Sequence, residues 1–171
     1  NKGMKIARGK YKVYFHQDTF IQHPNFIKDI LFLFDYDEDL GMIGMVGAKK
    51  LPPSAIWWES PLNFGEVIES HTGSLALLKF NEPSIPYEEV EAIDGFLTVT
   101  QYDVPWREDI FDCWHFSDIS QAQEFRRAGY KIGVPSQIRT WSTHDCGIVG
   151  IDGYDDARAI FIDEYMNTKS M

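Results

Sequence analysis

At 171 residues, 44% hydrophobic and 15% aromatic, the chain is long enough to enclose one substantial core and too apolar for a disordered segment. A formal net charge of −10 argues against nucleic acid as a partner, because phosphate affinity needs clustered Lys and Arg. No apolar run reaches the roughly 20 residues of a membrane span, and two cysteines, Cys113 and Cys146, are too few for a disulfide framework, so they read as free thiols of a reducing compartment. On so acidic a chain an anionic ligand needs a local attractor, and a divalent cation held by a few carboxylates would supply it.

The chain opens Asn1-Lys2-Gly3 without an initiator methionine, as part of a longer protein would. Met4, Ile6 and Ala7 ahead of Gly9 read as the last turns of a helix with Gly9 as its left-handed stop. From Lys10 to Asp18 the residues alternate, with Tyr11, Val13 and Phe15 as the buried face of a strand that ends in His16-Gln17-Asp18. A carboxylate there stands where open α/β sheets bind ligands, although Asp18 equally suits the opening of a turn. Pro24 then starts a helix whose stripe is Phe26, Ile27, Ile30, Leu31 and Phe34, followed by the acidic loop Asp35 to Asp39.

Met42 to Gly47 reads as one buried strand, and Ala48 to Ser60 as a loop whose Trp57 and Trp58 either line a sugar site or cap the core. Val67–Ser70 and Leu75–Phe80 flank a turn that contains His71, a hairpin pattern. Val90–Ile93 and Phe96–Thr100 are strand-like runs separated by Asp94-Gly95. After the polar-aromatic passage Trp106 to Asp118, Ser117 or Asp118 is the expected cap of a helix with Ile119, Ala122 and Phe125 inward and Gly129 as its stop. Tyr130–Val134 and Ile138–Thr143 follow as extended runs. A glycine-rich stretch then leads to a last helix capped by Asp155, in which Ala159, Ile160, Phe161 and Ile162 are expected to be mostly buried.

Three polar clusters end apolar segments: His16-Gln17-Asp18, Trp114 to Asp118, and His144-Asp145-Cys146. If they converge, Asp18 and His144 offer an oxygen and an imidazole to a divalent metal, and Asp118 is left for acid–base work. Spacing alone equally allows Asp118 to be only a helix cap and His144 only a turn residue.

The order of these pieces, from the strand ending HQD through GMIGMVGA, AIDG, WREDIFDCWHFSD and RRAGYKIGVP to HDCG, resembles glycosyltransferases of the GT-A fold. The likeness is nearest to family-two-type enzymes of bacterial surface-polysaccharide synthesis. It implies an α/β fold with a mixed central sheet flanked by helices, a partial GT-A fold in one domain over residues 1–171 that lacks the nucleotide-binding strands usually placed ahead of the DxD strand. By this resemblance HQD stands at the DxD motif, with Asp18 and Gln17 on the nucleotide side and Asp18 and His144 as metal ligands for Mn or Mg. Asp118 matches the catalytic base, and Asp94, Gly95, Trp114 and His115 lie on the acceptor side.

The implied reaction is transfer from a nucleotide sugar, a UDP-sugar by resemblance, to a saccharide acceptor with inversion, in the cytoplasm or at the inner face of the membrane. Gln137 to Trp141 is similar to the Q-x-x-R-W motif of processive synthases, with Arg139 one position early. Two other readings stay open. One is a zinc hydrolase using His16, Asp18, His115, His144 or Cys146; the other is a saccharide-binding module without catalysis.

Overall fold

The computed structural model describes residues 1–167 and arranges them as two mixed sheets with four α-helices. The first sheet has the order β1 (Lys12–Phe15), β9 (Leu97–Thr100), β3 (Leu40–Gly44), β10 (Lys131–Pro135), β7 (Tyr87–Val90). Only its β3–β10 pair is parallel. The second runs β2 (Thr19–Ile21), β11 (Ser142–His144), β5 (Asn63–Glu69), β4 (Val46–Ala48), β8 (Ala92–Ile93), with β6 (Ala76–Lys79) also paired to β5. Here β11 and β5 are parallel. This is the mixed α/β architecture expected of a partial GT-A fold.

The stretch expected to be one strand from Met42 to Gly47 is two. The chain leaves the first sheet after Gly44, passes the fully buried Met45, and enters the second sheet at Val46. Small residues make this crossing possible, since a Cβ on Gly47 would lie 2.3 Å from the carbonyl oxygen of Ala92 on the neighbouring strand. The run around Asp94-Gly95 splits in the same way, with β8 in one sheet and β9 in the other. Both sheets therefore share one core, and the residues at the crossing points are carried to their junction.

Helix α2 (Phe26–Tyr36) buries Phe26, Ile30, Leu33 and Phe34, while Ile27 is 60% exposed, so the inward stripe is rotated from the expected one. Phe34 stacks on Tyr11 with ring centroids 5.5 Å apart. The alternation in β1 is as expected but its phase is inverted: Val13 and Phe15 are exposed and Lys12 is buried, donating to Asp103 Oδ1 at 2.6 Å and to Gly9 O at 3.1 Å. The pairing to Asp103 satisfies the buried ammonium.

The first helix, α1 (Lys2–Ile6), ends in the extended Ala7 and not in a left-handed glycine at Gly9. Helix α3 (Ser117–Arg127) packs its Ile119, Ala122 and Phe125 inward and is followed by Gly129 at φ +91°, as its sequence predicts. The last helix, α4 (Tyr154–Phe161), is capped by Gly153 at φ +79° and not by Asp155. It buries Ala157 and Phe161, leaving Ala159 and Ile160 exposed, and continues as a wider turn over Ile162–Met166. Of the run Ile138–Thr143, only Ser142 onward is strand; Gln137 instead bridges Met45 O and the amide of buried Trp141. Arg139 is exposed.

Candidate active site

The junction of the sheets opens as a cleft of about 800 Å³. Four segments supply much of its polar wall. The turn after β1 brings His16, the end of β11 brings His144, and the crossing from β8 to β9 together with the start of α3 brings Asp94, Gly95 and Asp118.

Backbone pairing fixes the first two. His16 N donates to Phe96 O at 2.9 Å, and β11 lies antiparallel to β2 with His144 opposite Thr19, so that Asp145 N reaches Asp18 O at 2.9 Å. His16 Nδ1 consequently lies 3.3 Å from His144 Nε2, which is 3.4 Å from Asp18 Oδ1. The His144 ring stacks on Phe96, with centroids 4.9 Å apart, and its side chain is 12% exposed. Asp18 stands against His144 and is not among the residues lining the cleft. Gln17 is exposed on the turn and is not among them either.

The donor atoms of His16, Asp18 and His144 all fall within 4.8 Å of one another, and Asp18 Oδ1 is buried without a hydrogen-bond partner. Two imidazole nitrogens and a carboxylate oxygen with unused lone pairs form a donor set that fits a divalent first-row metal ion. Burial lowers the pKa of His144, partly opposed by Asp94 and Asp18, and so favours the neutral imidazole that ligates. His16, which stands where the resemblance expects an aspartate, is thus a third donor.

A second grouping shares His144 with Glu69 and Cys146. Glu69 was not legible as a site residue; its one signal is that it ends a strand, as Asp18 nearly does, and its parallel register with His144 then aligns it. Burial raises the pKa of Glu69, relieved in part by its ion-pair partner His71, and burial also raises that of the Cys146 thiol. Both groups are thereby biased toward the protonated forms that do not ligate. His115, offered by the hydrolase reading, joins neither grouping.

Asp118 opens α3, but its helix is capped by Phe116 in the left-handed region at φ +61°, not by Ser117 or Asp118. That backbone turn frees the Asp118 side chain to point at the sheet junction. Oδ2 accepts from Gly95 N at 2.8 Å and Oδ1 from its neighbour Ile119 N at 2.8 Å. Gly95 is required at this approach, because a Cβ there would lie 2.6 Å from Asp118 Cβ. Burial, then the charge of Asp94, raises the Asp118 carboxyl to about 7. Burial also raises Asp94, against the pull of His144 and His16, so Asp94 links the imidazole pair electrostatically to Asp118.

The remaining wall is aromatic. Trp114 is 56% exposed and packs on His115 at 4.6 Å between centroids, while Trp57 is buried and Trp58 half exposed, both facing the cleft. Tyr154, from α4, closes the far side against Phe116, with centroids 5.0 Å apart. A carboxyl poised near neutrality, a buried acid beside it, two imidazoles and flat rings thus meet on one cleft.

Residues 1–165 match the family described as "Glycosyltransferase like family". No protein of curated description matches the chain. With its mixed-sheet architecture and this match over nearly its whole length, the chain belongs to the glycosyltransferase-like family and is a GT-A-type enzyme that passes a sugar from an activated donor to an acceptor.

Proposed function

We propose that the protein is a metal-dependent, inverting glycosyltransferase that uses a nucleotide sugar, with UDP as its nucleotide, to extend a saccharide in polysaccharide synthesis. The observation that carries this reading is the convergence on one cleft of Asp118 and of the imidazoles of the His16–Asp18–His144 set.

Asp118 is the base. Its carboxylate accepts the proton of an acceptor hydroxyl as that oxygen forms its bond to the anomeric carbon and the bond from that carbon to the diphosphate breaks on the opposite face. A base whose pKa lies near the working pH is ionised when needed yet basic enough to take the proton. The amide of Gly95 holds Oδ2 in place, which restricts the carboxylate to one orientation. A divalent cation held by His16, Asp18 and His144 would neutralise charge on the departing diphosphate. Asp94 lies between the two functions, and its charge keeps Asp118 basic.

The test is transfer from UDP-sugars to oligosaccharide acceptors, with the product's anomeric configuration read by NMR. Inverted product from the wild type, and a kcat lowered about 10²-fold or more in Asp118→Asn, support the reading. Retained configuration, or an Asp118→Asn enzyme with unchanged kcat, contradicts it.

A further inference from the structure

Two polar atoms in the cleft have no partner. His115 is 8% exposed and its Nε2 makes no hydrogen bond; the hydroxyl of Tyr154 is likewise buried and unpaired. Their rings stand 5.3 Å apart between centroids, they come from different elements, and both line the cleft that Asp118 lines. A buried polar atom without a partner is costly, and one carried by a residue that lines a cavity is within reach of a ligand that enters it.

The same wall offers no fixed cation. Among the described residues that line the cleft, none is Lys or Arg. A cation in the His16–Asp18–His144 set would be matched by the donor's diphosphate. A carboxylated or phosphorylated sugar would therefore find no lysine or arginine to offset the cost of taking its charge out of water.

We propose that the cleft takes an uncharged saccharide acceptor, its hydroxyls held by His115 Nε2 and Tyr154 Oη, and that it rejects saccharides bearing carboxylate or phosphate. This inference rests on the transferase reading and names the acceptor class that reading leaves open. Tyr154 would donate from its hydroxyl, while His115 Nε2 donates or accepts according to its tautomer. Trp114 and Trp58 offer faces for the sugar's apolar side.

Ligand-observed NMR titration of the protein with magnesium and UDP, using methyl glucoside and the matching methyl glucuronide, tests this directly, because the two probes differ only at C6. The glucoside is expected to bind at least tenfold more tightly. Tyr154→Phe, with an unchanged melting temperature, is expected to weaken the glucoside about fivefold, and His115→Gln provides the second variant. Equal affinity for the two glycosides, no binding of either, or full glucoside affinity in both folded variants overturns the inference. Metal-dependent UDP binding, read in the same samples, reports on the transferase reading separately, and its absence counts against that reading whatever the glycosides do.

Discussion

In the proposed reaction Asp118 is the base, and its surroundings make its behaviour checkable. Its carboxyl is raised to about 7 by burial and by Asp94, so kcat/KM should show an acid limb near pH 7 that moves to lower pH in Asp94→Asn, where a like charge has been removed. The stability linkage has a definite sign. A folded-state pKa above the ordinary 3.8 contributes stability fully present below that value and lost as pH rises through about 7. Asp118→Asn mimics the protonated form, so denaturant unfolding should show it gaining stability relative to the wild type between pH 4 and pH 8. A constant difference across that range would contradict the assignment. Asp118 was legible as a candidate through the resemblance, which sets Ser117-Asp118, ahead of the helix that ends in Gly129, at the place of the catalytic base; the local pattern alone suggested a helix cap, a role that Phe116 fills. Its fixation by Gly95 was not legible, because the 23-residue separation hides a contact that only the sheet crossing creates.

At the scale of elements, periodicity located most strands and helices, whereas faces and breaks were set by the tertiary fold. The phase of β1 is inverted, and its buried Lys12 is satisfied by Gly9 O and by Asp103, a partner 91 residues away. The split of Met42–Gly47 into β3 and β4 shows in the sequence only as two glycines, whose meaning depends on Ile93 and Ala92 across the junction. Gly47→Ala tests that explanation. Its Cβ would meet a backbone oxygen that cannot rotate away, and overpacking of this kind costs about 1–3 kcal/mol, which is roughly 2–12 °C in melting temperature for a chain of this size. The grouping of His16, Asp18 and His144 was partly legible: Asp18 and His144 each end an apolar run, but His16 joins them only because β11 pairs with β2 and the β1 turn is tied to Phe96.

Across the whole molecule, the C-terminal turn is fastened to α3 and to the loop before it by charge. Glu164 accepts from Arg107 Nη1 at 3.0 Å and from Arg127 Nη1 at 2.8 Å, and Arg127 Nη2 also reaches Glu164 O at 2.9 Å. Half-exposed pairs are individually weak but networked here, so Glu164→Ala should cost about 1 kcal/mol, a melting shift of about 2–4 °C that shrinks in high salt. This fastening places α4, with Tyr154, over the cleft, so its loss should also weaken acceptor binding. The net charge of −10 gives the molecule a field that attracts cations and repels a free nucleotide. In the proposed reaction the cation therefore has to come with, or before, the donor.

Calorimetric titration of UDP into the protein, with and without manganese, tests that requirement most directly. Binding that depends on manganese, and that falls at least tenfold in both Asp18→Ala and His144→Ala while the fold is retained, is the predicted result. UDP binding of equal strength without the metal, or undiminished in both variants, would contradict it.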